Sequence, residues 1–180
     1  VMIQKKRIYL GQVNNRFGDN VYLPYSVGLL LAYAQTFSPI DTSYELAGWI
    51  YLKEPIPDAV ARLHEPDLVA LSCYIWNWEW NKAFARAVKE RWPNCKILVG
   101  GVHIPDEDER VLAENPQFDF AIYGEGEEAF VEFLLTERGQ RVFMERGLFS
   151  GLPKYKVQGA AGSTAESAVE FTGGVRSYFD

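Results

Sequence analysis

Four short stretches hold the groups that could do chemistry. They are Asn14-Asn15-Arg16-Phe17, Ser72-Cys73-Tyr74-Ile75-Trp76-Asn77, Gly100-Gly101-Val102-His103 and Tyr123-Gly124-Glu125-Gly126-Glu127. None reads as a nucleophile with its base. His64 and His103 are the only histidines, and neither stands at zinc-finger spacing from Cys73 or Cys95, the only cysteines. The chain has no Cys-x-x-Cys pair, no Gly-x-Ser-x-Gly elbow and no Walker A loop. Gly124-Glu125-Gly126 copies the start of a dinucleotide fingerprint, but it follows the last strand instead of the first. What the stretches offer is bare backbone, small polar groups and aromatic rings. Glycine lets a backbone approach a ligand closely. This is binding chemistry, suited to a large, flat or elongated ligand.

The elements that must position these stretches follow from the apolar runs. Ile8 to Val13, Thr42 to Trp49, Asp67 to Cys73, Lys96 to Gly101 and Phe118 to Tyr123 read as strands, the last three short and fully apolar as in buried parallel sheets. Between and after them, helices are predicted over Leu23 to Ala34, Asp58 to Leu63, Trp78 to Trp92, Glu107 to Glu114 and Glu127 to Glu137. Gly28 is expected to let the first helix sit close to the sheet. Strands alternating with helices predict an α/β fold, a flavodoxin-like (Rossmann-type) five-stranded parallel sheet of order 2-1-3-4-5. All four stretches then fall on the carboxyl edge, where open α/β sheets bind ligands. Phe149 to Val157 and Val169 to Phe171 read as a C-terminal hairpin around a Gly/Ala/Ser/Thr-rich linker. The expected division is therefore an α/β domain over 1–140 and a hairpin and linker over 141–180.

Composition narrows the partners. Of 180 residues, 48% are hydrophobic and 23% charged, enough for a core and too apolar for disorder. The net charge of -6 and the absence of a basic cluster argue against nucleic acid. No membrane span or signal-peptide pattern is present, and two cysteines make no disulfide framework, so a cytoplasmic setting is expected.

Each residue also has a plainer reading. Cys73 and Cys95 read as core thiols. Glu127 reads first as a helix-start carboxylate favoured by the macrodipole, and Glu125 equally as that or as a ligand contact. Arg16 reads as solvated. His103 either meets a ligand amide or phosphate or holds its own turn. Trp76, Trp78 and Trp80 cannot all be core on one helix. Trp76 either covers a ligand face or packs on a neighbouring domain.

Taken together, the motifs resemble the cobalamin-binding domain at the amino end of many radical S-adenosylmethionine proteins. Leu23-Pro24-Tyr25-Ser26-Val27-Gly28-Leu29 is similar to that family's proline-led first helix. Val99-Gly100-Gly101-Val102-His103-Ile104-Pro105 is similar to its Gly-Gly-x-His turn, and Tyr123-Gly124-Glu125-Gly126-Glu127-Glu128-Ala129-Phe130 to its Gly-Glu-Gly-Glu segment. Tyr74-Ile75-Trp76-Asn77 resembles a version found in one branch, and Phe149-Ser150-Gly151-Leu152-Pro153-Lys154-Tyr155 the hairpin leading to the catalytic barrel.

The resemblance implies cobalamin as cofactor. Its nucleotide tail is expected against Ser72, Gly100, Gly101 and Gly124, with Cys73, Val102, His103, Tyr123, Glu125 and Gly126 close by. The corrin ring is expected over Asn14, Asn15, Arg16 and Phe17 and over Tyr74 to Asn77, including Trp76. A bulky residue at Gly101 is expected to block the tail while leaving the fold intact. The barrel's Cys-x-x-x-Cys-x-x-Cys motif is absent, so S-adenosylmethionine and the 4Fe-4S cluster are assigned to a radical SAM barrel domain elsewhere in a longer chain. The Asp-x-His-x-x-Gly loop is also absent, so no metal ligand is expected from this chain. The implied role is placement of cobalamin in a methyltransferase-like enzyme. Two alternatives stay open: a stand-alone flavodoxin-like module for a flavin or nucleotide, and a ligand-free assembly domain.

Overall fold

The computed structural model describes residues 5–37, 43–105, 110–124, 126–135 and 147–150. In chain order the elements are β1 Lys6–Asn14, α1 Tyr25–Ala34, β2 Tyr44–Leu52, α2 Ile56–Ala61, β3 Leu68–Ser72, α3 Trp78–Arg91, β4 Lys96–Gly100, α4 Arg110–Glu114, β5 Phe120–Tyr123, α5 Gly126–Leu135 and β6 Gly147–Ser150. The first five strands form the expected parallel sheet in the order β2-β1-β3-β4-β5. β6 adds a sixth strand, parallel to β5 with Phe120 opposite Gly147. β6 shares only Phe149 and Ser150 with the expected hairpin strand, and the remainder of that stretch lies outside the described residues. The expected return strand over 169–171 and the linker lie outside the described residues.

Side-chain alternation divides the interior into two layers. Tyr9, Val69, Leu71, Ile97, Val99 and Ala121 face Ala59 and Val60 of α2, Phe84 and Val88 of α3, and Val111 and Leu112 of α4. Ile8, Leu10, Leu68, Ala70, Leu98, Phe120 and Ile122 face Val27 and Ala34 of α1 and Phe130, Phe133 and Leu134 of α5. Both faces of the central strands are covered, which is why they read as unbroken apolar runs.

Two glycines behave differently from simple expectation. Nothing lies within 4 Å of where a Cβ on Gly28 would stand, so this residue does not draw α1 onto the sheet. A register shift between Ile8 and Tyr9 sets Gly48 opposite Tyr9, where a Cβ would lie 3.2 Å from the ring; the bulge turns Gly48 to the face opposite Leu46.

The two edges of the sheet differ in chemistry. At the amino edge, Asp67 Oδ2 accepts the Arg7 N–H at 2.7 Å. Asp119 Oδ2 accepts the Ile97 N–H at 2.7 Å and pairs with Lys89 at 2.5 Å. The carboxyl edge is held by neutral amides instead. Pro24 at the start of α1 offers no side-chain cap, and Gln12 on β1 supplies one: its Oε1 accepts the Ser26 N–H at 2.9 Å.

Candidate functional site

A cavity of about 270 Å³ opens at the carboxyl edge, between the sheet and the α1–α5 layer. Leu10, Ala70, Leu98, Ile122, Val27, Leu30 and Phe130 make it apolar inside. Ser26, Ser72, Tyr74 and Glu127 bring polar groups to its wall, and Gly100, Gly101, Gly124 and Gly126 present bare backbone. The volume lies near the small end for ligand pockets, about 300 Å³, so it suits an inserted portion of a larger ligand.

Each glycine there has its own reason. Gly100 follows Val99, which faces the other layer, so its missing Cβ points to the cavity side. A Cβ at Gly100 would make only ordinary contact, 3.5 Å from the Ile122 carbonyl oxygen. Gly126 lets α5 start against α1, where a Cβ would lie 3.3 Å from Leu30 Cδ2. Gly101 has φ +97°, and a Cβ there would lie 3.0 Å from both the N and the O of Cys73. That spot holds the backbone of the neighbouring turn, so the expected open passage beside Gly101 is corrected: its bareness locks two turns together. Cys73 N–H donates to the Gly100 carbonyl at 2.6 Å, and His103 N–H to the Cys73 carbonyl at 3.1 Å.

The residues singled out in the sequence fall into three groups. Ser72, Tyr74, Gly100, Gly101, Val102, Gly124 and Gly126 come together around the cavity. Asn14, Asn15 and Trp76 form a hydrogen-bonded rim beside it, with Arg16 and Phe17 following in the chain. There, Asn14 Oδ1 accepts the Trp76 indole N–H at 3.3 Å, and Lys53 Nζ donates to Asn15 Oδ1 at 3.3 Å and to the Trp76 carbonyl at 3.1 Å. Phe17 is exposed and meets Tyr22 edge to face. The third group turns to the opposite layer or is buried behind the wall. His103 sets its ring edge on Trp78, 5.0 Å between centroids, and Tyr123 is buried in the α2–α4 layer. Cys73 is fully buried, and burial pushes its thiol up to about 12, so it stays protonated and inert. Glu125 lies outside the described residues.

The tryptophans divide as their spacing requires. Trp80 stacks on Phe84 and donates Nε1–H to the Glu54 carbonyl at 2.8 Å, and Trp78 packs against Phe118. Trp76 alone stands at the edge, 44% exposed. With Tyr22, Leu23, Tyr25, Ile75 and Val102, also exposed, it gives this edge an apolar collar.

Two roles escaped the sequence reading: the Ser26 hydroxyl on the cavity wall, and the buried structural part of Asn77, which is expected there only as a residue under the corrin. Ser26 sits inside a helical run, and only the structure shows its hydroxyl on the cavity wall. Asn77 is fully buried and organises the turn before α3. Its Nδ2 donates to the Val13 and Ser72 carbonyls at 3.0 Å each, and its Oδ1 accepts the Tyr74 N–H at 2.8 Å. Asn81 donates to the same Oδ1 at 3.3 Å. An asparagine just ahead of a helix was the available signal. Among the described residues no group of His, Cys, Asp and Glu could hold a metal ion, and no helix is long and apolar enough to cross a membrane.

Residues 52–134 match the family model of the B12 binding domain. The chain is 38% identical over 115 residues to a cobalamin-dependent radical SAM methyltransferase, TokK, from Streptomyces tokunonensis. It is 37% identical over 114 residues to a 2-(S-pantetheinyl)-carbapenam-3-carboxylate methyltransferase from Streptantibioticus cattleyicolor. These matches cover 64% and 63% of this chain and 17% of each relative.

Proposed function

We propose, from the B12 binding domain at residues 52–134, that this chain holds cobalamin at the carboxyl edge of its sheet, as one part of a methyltransferase of the radical SAM class. The observation that carries the reading is the cavity itself. It is apolar inside, polar at its wall and bare-backboned at two loops, which fits a bicyclic base on a sugar phosphate. Leu10, Leu98, Ile122 and Phe130 would hold the base, and the hydroxyls of Ser26, Ser72 and Tyr74 would meet the sugar and phosphate. The Asn14 to Phe17 loop and the Tyr74 to Trp76 turn would lie under the corrin, where the collar shields it from water.

Bound cobalamin supplies a cobalt centre able to carry a methyl group. This chain's part is to bind, orient and shield. Cys95, like Cys73, is pushed up to about 12 by burial, so neither thiol is a ready nucleophile. The S-adenosylmethionine and 4Fe-4S chemistry would fall to a separate radical SAM barrel domain. Both cysteines are free thiols, which supports a cytoplasmic setting.

The test is a titration of the chain with aquocobalamin and, separately, with flavin mononucleotide. We expect a red complex of one cobalamin per chain that survives gel filtration, and no flavin retained. Retention of flavin with no uptake of cobalamin would overturn the reading in favour of the flavodoxin-like module.

A further inference from the structure

We propose that Tyr74 is a positioning residue that couples occupancy of the cavity to the setting of Trp76. The proposal rests on the reading that the cofactor's nucleotide tail enters this cavity. Tyr74 has two working sides. Its hydroxyl lies 2.9 Å from Ser26 Oγ, and both residues line the cavity. Its ring stacks on Trp76, 4.5 Å between centroids with 12° between planes. The main chain of Tyr74 is pinned, because its N–H donates to the buried Asn77 Oδ1. The side chain is therefore the part free to respond.

The coupling follows from proton and ring geometry. The Ser26 and Tyr74 hydroxyls carry one proton each. A phosphate or sugar oxygen arriving at this wall competes for these protons, and when the hydroxyl that donates across the pair turns toward it, the 2.9 Å bond is lost. With that bond gone the phenol oxygen is no longer held at Ser26, and the Tyr74 ring tilts to a new setting. The indole is tied to Asn14 at 3.3 Å, and its own carbonyl is held by Lys53 at 3.1 Å. It cannot follow freely, so the near-parallel stack must be reset. A neutral hydrogen bond and an aromatic pair are contacts of similar strength, so an event at one can shift the other. Cavity filling is thereby reported at the exposed aromatic surface. The two ends share no direct contact in the structure; Tyr74 joins them.

The experiment labels the five tryptophans with 5-fluorotryptophan and assigns the Trp76 fluorine line with Trp76→Phe. The probe is the dimethylbenzimidazole ribonucleotide alone, which carries no corrin to touch Trp76 directly. Its binding is followed separately by saturation transfer to its own protons. We expect the Trp76 line to shift in the parent at saturation. In Tyr74→Phe, which keeps the ring and loses the hydroxyl, the fragment should bind more weakly, and at saturating fragment the line should stay in place. A bound fragment that leaves the parent's Trp76 line unmoved, or moves it equally in Tyr74→Phe, overturns the proposal. Ser26→Ala without ligand gives an independent measure: Trp76 alone among the five should shift, and an unmoved line overturns the coupling. A shifted line in Ser26→Ala, together with no binding of the fragment, supports the coupling and overturns only the tail-in-cavity reading.

Discussion

Gly101 is wedged against Cys73: a Cβ on the glycine would stand 3.0 Å from both the nitrogen and the oxygen of the cysteine, at a φ of +97°. Two penalties then coincide in Gly101→Ala, left-handed strain and a backbone clash. The expected loss is about 1–3 kcal/mol of folding stability, read from urea unfolding midpoints. A midpoint equal to the parent's would show that the turn has slack.

Gly100 is the position that tests the cavity without testing the turn. A Cβ there meets the Ile122 carbonyl oxygen at an ordinary 3.5 Å. Gly100→Leu should fold with a near-parental midpoint and bind aquocobalamin more than tenfold weaker, about 1.4 kcal/mol or more. Calorimetric titration checks this, and unaltered affinity in a folded variant would place the ligand elsewhere.

The buried carboxamide of Asn77 joins the ends of β1 and β3 to the turn that carries Trp76. Asn77→Ala leaves the Val13 and Ser72 carbonyls and the Tyr74 N–H without this partner at a fully buried position. The cost should reach about 2–4 kcal/mol, measured by denaturant unfolding. A loss below about 1 kcal/mol would mean that water replaces the amide there.

Cys73 and Cys95 both rise from an ordinary 9.0 to about 12, chiefly through burial. The fold therefore keeps protons that the unfolded chain has already lost above pH 9. Stability from these thiols is complete below pH 9 and is lost as pH climbs toward about 12. The slope approaches about 1.4 kcal/mol per pH unit for each thiol. Between pH 8 and 10, the parent should lose stability faster than a Cys73→Ala, Cys95→Ala double variant. At pH 8 neither thiol should react with a disulfide reagent until the chain is unfolded.

The sheet was legible because its strands are short apolar runs closed by turn residues, and burial on both faces writes that pattern directly. The carboxyl-edge glycines were legible for the same reason, as Gly100, Gly101 and Gly124 end those runs. What glycine alone does not disclose is which neighbour needs the space. Gly101 answers to Cys73, Gly100 to the cavity, and Gly28 to nothing within 4 Å. The cavity's second wall was invisible too. Ser26, Leu30 and Phe130 belong to α1 and α5, about 100 residues apart in the chain, and no local pattern states that they face each other. His103 lay two residues beyond the glycine pair, close enough in sequence to be counted with it. The turn aims its ring at Trp78 on the opposite layer.

The placement of β1 between β2 and β3 has a consequence for how the domain comes together. Leu10 cannot meet Ala70 until β3 has been made, and the cavity is unfinished until β4, β5 and α5 are also in place. Every wall of the binding pocket thus comes from a different segment, and no partly assembled intermediate offers more than a fragment of it. A ligand held there recognises only the finished domain and draws the folding equilibrium toward it. At about a hundred times its dissociation constant, such a ligand adds about 2.7 kcal/mol to the folded side. On the proposed reading, limited proteolysis with and without cobalamin should therefore differ, the loaded chain being cut more slowly.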